Sequence, residues 1–94
     1  MAEGESLRLD KFLWFVRIVK TRTLAQELVE NGRMRLSGRI VERASAPVRV
    51  GDVLSFALRG NVRVIRVDAL PVRRGPPAEA RAHYCELTSE AGQD

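Results

Sequence analysis

The chain has 94 residues, enough for one domain with a single core and near the low end of what folds without staples. Its one cysteine, Cys85, excludes an intramolecular disulfide, no Cys/His spacing resembles a zinc site, and no apolar run approaches the roughly 20 residues of a membrane span. The formal charge of +4 conceals a basic body with acidic flanks: fifteen Lys/Arg against six acids from Arg8 to Arg74, and one against six outside it. That asymmetry points to a polyanionic partner, with nucleic acid ahead of an acidic membrane. The plainer alternative is a set of arginines scattered over a solvated face. The start, MAEGESLRLD, is polar and acidic and resembles no secretory signal, so a soluble, cytoplasmic protein is expected.

Residues 1–6 carry no pattern, and disorder is expected there and over 89–94. Ser6 can cap a helix starting near Leu7, with Asp10 placed in the first turn where its charge suits the dipole. Leu9, Phe12, Leu13 and Val16 recur at i, i+3, i+4 and i+7 and form one apolar face. Trp14 falls on the other side with Lys11 and Ile18, so packing against a neighbouring segment is expected; a stacking platform for a base is the alternative. Lys20 to Arg22 connects to a second helix. Thr23 and Gln26 fit a capping box that starts this helix at Thr23 and leaves Arg22 just outside. Leu24, Ala25, Leu28 and Val29 supply its buried face, and Asn31-Gly32 ends it.

The period then switches from 3.6 to 2. Met34 and Leu36 alternate with Arg33 and Arg35, Ser37-Gly38 fits a two-residue hairpin turn, and Arg39 to Val41 returns. Gly51-Asp52 turns the chain into a strand over Val53 to Leu58. Arg59-Gly60-Asn61 turns it again into a strand over Val62 to Leu70. Pro76-Pro77 breaks the pattern. Ala78 to Leu87 reads equally as a short helix or as a strand around Tyr84.

Chemistry concentrates where the helices join. Arg22 stands at a helix N-terminus, whose free N–H groups and dipole favour phosphate. Lys20 and Thr21 are adjacent, Arg17 is one turn back, and Arg8 and Lys11 can converge if the hairpin folds over. Arg33, Arg35 and Arg39 are expected to widen the patch across one hairpin face, each guanidinium offering a fork to phosphate. Enzymatic readings fare poorly. His83 is the only histidine, and its pairing with Cys85 lacks a third orienting group. No glycine-rich nucleotide loop is present. No catalytic residue, metal or cofactor is expected.

At these residues the chain resembles the S4 RNA-binding domain family. The likeness is carried by Arg8-Leu9-Asp10-Lys11-Phe12-Leu13, by Lys20-Thr21-Arg22-Thr23-Leu24-Ala25, by Gly32 to Gly38 and by Val50-Gly51-Asp52. Departures are Arg33 and Met34 around the first strand, and Ser37 where the family most often has asparagine. The resemblance covers about residues 8–56. It implies an α+β fold, the S4-like αL motif, with a two-helix hairpin packed on a small, mainly antiparallel sheet. An RNA-binding domain over 8–70 with a C-terminal segment, 71–88, packed on it is the division expected.

The tail, from Arg73-Arg74 through Pro76 to Glu79, Tyr84 and Glu86 to Thr88, is similar to small stand-alone members. These are the ribosome-associated fifteen-kilodalton heat-shock proteins and the shorter S4 proteins of ribosome-associated quality control. Their resemblance implies a monomer that binds large-subunit rRNA and peptidyl-tRNA on obstructed large subunits, with a quality-control protein as a further partner. The heat-shock type continues into a long basic extension, whereas this sequence ends acidic at Asp94 and is closer in length to the quality-control type. The alternatives are the RNA-binding module of an rRNA-modifying enzyme of the pseudouridine synthase type, and a ribosomal protein or biogenesis factor.

Overall fold

In the computed structural model, which describes residues 5–87, a two-residue strand, β1 (Leu7–Arg8), runs straight into helix α1 (Leu9–Phe15). The expected start at Leu7 under a Ser6 cap is therefore corrected. Leu7 and Arg8 pair antiparallel with Val48 and Pro47. The N–H groups of Leu9 and Asp10 donate to the carbonyls of Ala46 and Ala44 at 2.9 and 3.0 Å. A distant loop thus supplies the acceptors that a first turn otherwise lacks, and a hydroxyl cap is superfluous. The disorder expected over 1–6 and 89–94 falls, Glu5 and Ser6 apart, outside the described residues.

Helix α1 ends in a Schellman arrangement. The Arg17 N–H donates to the Trp14 carbonyl and the Ile18 N–H to the Leu13 carbonyl, each at 3.1 Å. The left-handed residue this ending requires is Arg17, at φ +63°. Glycine is the usual occupant, and a residue with a Cβ costs roughly 1–2 kcal/mol there.

Helix α2 (Arg22–Glu30) begins one residue before the expected Thr23. Its cap is Thr21, whose hydroxyl accepts from the Leu24 N–H at 3.1 Å. The Thr23–Gln26 capping box does not form, because Gln26 Nε2 donates instead to the Asp10 carboxylate at 3.2 Å. Ala25, Leu28 and Val29 are buried. Leu24 is not: at 44% exposure it stands on the rim of an apolar groove of about 430 Å³ beside Ile18, Val19, Leu28 and Leu58. Gly32, at φ +83°, closes the helix as expected. Replacing Leu28 by alanine should lower stability by about 2–5 kcal/mol. An unchanged midpoint of chemical denaturation would mean that the buried face of α2 lies elsewhere.

The period-2 stretch gives β2 (Met34–Leu36) and β3 (Arg39–Val41), joined at Ser37-Gly38, followed by β4 (Pro47–Val48), the partner of β1. Strands β5 (Val53–Leu58) and β6 (Asn61–Val67) form the central hairpin. Both hairpin turns have two residues with positive φ, Ser37 and Gly38 (51° and 88°) and Arg59 and Gly60 (54° and 82°). Such turns match the twist of their strands, so Asn61 belongs to β6 rather than to the turn. The Ser37 hydroxyl, which replaces the family's asparagine, donates to Asp52 at 2.9 Å.

The undecided tail is both helix and strand: α3 (Pro77–Arg81) and then β7 (Tyr84–Glu86). The five-stranded sheet is antiparallel throughout, in the order β3-β2-β5-β6-β7. Leu9, Phe12, Leu13 and Val16 of the first helical segment and Ala25, Leu28 and Val29 of the second share one core with Met34, Leu54, Phe56, Ile65 and Val67. Trp14 packs on a neighbouring segment. The Arg74 guanidinium lies 5.8 Å from its ring centroid, and Arg74 Nε donates to its carbonyl at 3.1 Å. No helix among the described residues is long and apolar enough to cross a membrane.

Candidate nucleic-acid interface

Asp10 is the one buried charged residue among those described, with no exposed surface. Such a carboxylate must be fully hydrogen-bonded, and here five donors reach it. Arg8 Nε donates to Oδ1 and Arg8 Nη2 to Oδ2, both at 3.1 Å. The Lys11 N–H reaches Oδ1 at 2.8 Å, while Arg22 Nε and Gln26 Nε2 reach Oδ2 at 3.2 Å. Burial pushes the Asp10 carboxyl up, and the bonds from Arg8, Gln26, Arg22 and the Lys11 N–H outweigh it, so the net shift is downward.

One carboxylate therefore holds two guanidiniums, one from β1 just before α1 and one from the start of α2. The Arg8 and Arg22 side chains keep 46% and 37% exposure while Asp10 keeps none, so the anion is sealed and the cations face water. Arg22 uses only Nε on Asp10, which leaves both Nη groups open. Arg8 keeps one. The cluster carries net +1 and is pre-oriented at the N-terminus of α2, where N–H groups and the dipole already favour an anion. A phosphodiester fits this chemistry, because a fixed guanidinium fork accepts two of its oxygens.

The other expected site residues fall into four groups. Lys11, half-buried, and Thr21, whose hydroxyl is spent on the cap, adjoin the cluster. Lys20 is exposed on the rim of the apolar groove. Arg33, Arg35 and Arg39 are exposed and form no ion pair among the described residues. They do not share one face as expected. Arg35 stands opposite Ile40 and Leu36 opposite Arg39 in the register of β2 and β3, so alternation puts Arg35 and Arg39 on opposite faces. Arg17 lies apart, beyond the far end of α1, with Nε donating to the Gly75 carbonyl.

Sequence reasoning placed Asp10 in the first turn as a dipole partner and Gln26 in a capping box. The signal that could have found their role is an acid set between Arg8 and Lys11 on an otherwise basic stretch. His83 Nδ1 donates to the Glu79 carbonyl at 2.9 Å, a bond that closes α3. Cys85 sits in β7 opposite Arg66.

A cationic helical hairpin laid on an antiparallel sheet, with a turn at Gly51-Asp52, defines a small α+β domain with a basic face. A family model described as "S4 domain" matches residues 7–54. The chain belongs to the S4 domain family. Heat shock protein 15 of Escherichia coli (strain K12) is 35% identical over 85 residues, which cover 90% of this chain and 62% of that protein. The chain thus spans less than two thirds of that relative's length. An "RQC P-site tRNA stabilizing factor" of Streptococcus pneumoniae is 32% identical over 84 residues, covering 89% of this chain and 92% of the relative. Among solved structures, the trimeric structure of Vibrio cholerae Heat Shock Protein 15 superposes with a TM-score of 0.82 at 31% identity, covering 92% of this chain and 85% of that one. The α+β, S4-like expectation agrees with that likeness.

Proposed function

We propose that this protein binds large-subunit rRNA and peptidyl-tRNA on obstructed large ribosomal subunits, in rescue or quality control of stalled translation, and catalyses no reaction. The observation that carries the reading is the Asp10-held pair of Arg8 and Arg22 at the mouth of α2. The names of the relatives, a P-site tRNA stabilizing factor and a heat shock protein, support the ribosomal setting. Arg8, Lys11, Arg22 and Lys20 clamp phosphates around the Thr21 cap. Arg33, Arg35 and Arg39 contact RNA from the two faces of the hairpin, and Arg17 contributes from beyond α1. Contacts of this kind position a protein without reading bases, so selectivity comes from RNA shape.

The same reading takes the protein as a cytoplasmic monomer that acts beside a quality-control protein partner. It also takes residues 8–70 as the RNA-binding domain and 71–88 as a segment packed on it. The pairing of β7 with β6 and the stacking of Arg74 on Trp14 support that division.

Binding of the Arg22→Ala variant to purified large subunits carrying peptidyl-tRNA, across a salt series, tests the proposal. The log–log salt slope should fall by about 1, the signature of one lost phosphate contact. Because Arg22 also donates to the buried Asp10, denaturation is measured alongside, with a loss of about 1.5 kcal/mol expected, the lower end for a hydrogen bond to a charged group since Arg22 stays partly hydrated. Identical salt curves for variant and wild type would remove Arg22 from the interface. Equal occupancy on all translating ribosomes would instead favour a permanent ribosomal role.

A further inference from the structure

At the C-terminal end of α1, away from the Asp10 cluster, lies a polar cavity of about 410 Å³. It is lined by Val16, Arg17, Arg63, Pro77, Arg81 and Tyr84. Three guanidiniums thus border one space, brought there from the end of α1, from β6 and from α3. Their compensation is incomplete. Glu86 neutralises Arg63 through bonds of 2.6 and 3.2 Å. Arg17 Nε donates to the Gly75 carbonyl, a neutral acceptor that fixes the side chain and removes no charge. The Arg81 side chain makes no hydrogen bond or ion pair among the described residues. The cavity is left with a net charge of about +2 among groups whose mutual repulsion an anion would relieve.

A second observation bears on the same place. Arg17 occupies the left-handed position of the Schellman ending, at φ +63°, where glycine would be unstrained. The same residue lines the cavity, and its Nε is anchored on the Gly75 carbonyl, so a strained backbone position holds a fixed cation there.

We propose that this cavity is a second phosphate site, taking a backbone phosphate of the same RNA that the Asp10 cluster docks. For its ligand the inference rests on the proposed RNA-binding function. Arg81 and Arg17 supply the open guanidinium donors, and Arg63 is held in place by Glu86 and by the Phe56 ring 5.8 Å below it. Seven residues of α1 at 1.5 Å each separate the two sites by on the order of 10 Å. That is about three base-pair rises, so one RNA segment reaches both.

Two variants and two probes test this. Arg81→Ala removes an exposed, unpaired side chain, and Arg17→Gly removes a charge while relieving the backbone. Inorganic phosphate titrated into the wild-type protein should shift amide NMR signals of Val16 to Ile18 and of Ala78 to Tyr84. In Arg81→Ala and Arg17→Gly that response should be lost, whereas Arg22→Ala should keep it. Each cavity variant should also lower the log–log salt slope of large-subunit binding by about 1, with Arg17→Gly melting no lower than wild type. Absence of the phosphate response in the wild type, or its survival in both cavity variants, would overturn the site. Phosphate binding in the cavity with wild-type salt curves for both variants would overturn RNA as the source of the phosphate. A wild type that takes phosphate in the cavity but binds no subunit would overturn the proposed function, together with RNA as the source, and keep the cavity as an anion site.

Discussion

Replacing Asp10 by alanine is expected to cost the fold about 3 kcal/mol, the upper end of the range for hydrogen bonds to a charged group, and to weaken RNA docking as well. Five donors lose their acceptor at once, and two guanidiniums are left close together without the anion between them. The cost stays below that of breaking a fully buried ion pair because Arg8 and Arg22 remain partly hydrated. Docking suffers because the forks are no longer held apart and oriented when RNA arrives.

The pH dependence has a definite sign. The folded carboxyl lies below its ordinary value, so its contribution is complete above the unfolded value and disappears as the pH falls through the folded one. From about pH 4 downward, the ordinary range for Asp, the wild type should therefore lose stability that Asp10→Asn never had. Parallel stability curves for the two proteins between pH 7 and 3 would show that Asp10 is not the hub of the cluster.

Phe12→Ala is the larger blow to stability, at about 3–5 kcal/mol. The ring is fully buried in the core shared by both helices and the sheet, and so small a domain has few atoms that can move to fill the space. Since total stabilities lie at about 5–15 kcal/mol, the variant should retain only a fraction of the original margin. Thermal unfolding should shift down by at least about 12 °C. Subunit binding well below the new midpoint should stay close to wild type, because the Phe12 ring is fully buried and offers no surface to RNA. A midpoint that does not move would place the core on another face of α1.

Much of this arrangement was legible locally. The switch from period 3.6 to 2 at Met34, the Ser37-Gly38 turn and the buried row Leu9, Phe12, Leu13 and Val16 are short-range features, and they stand as expected. What escaped depends on partners far along the chain. The start of α1 is set by the carbonyls of Ala44 and Ala46, which no N-terminal window contains. Two threonines, Thr21 and Thr23, are equally good caps by composition, and the choice is made by Asp10 drawing Gln26 out of the capping box. Leu24 has the right spacing for burial, yet lies on the rim of a groove. Arg17, Arg63 and Arg81 are separated by long stretches of sequence, so only the docking of α3 and β7 brings them to one cavity.

The pairing of Leu7 and Arg8 with Val48 and Pro47 bears on the order of events during synthesis. Arg8, Asp10 and Arg22 are near neighbours in sequence, yet the backbone that positions Arg8 and Asp10 is anchored only by residues 44–48. Closing a loop of that length costs chain entropy that grows slowly with its span, and the contact is non-local enough to form after the helices. The clamp is therefore assembled once half the domain has been made and folded, not when its arginines first emerge. For a chain born among rRNA phosphates, that delay keeps its strongest cations unorganised until the sheet exists to orient them.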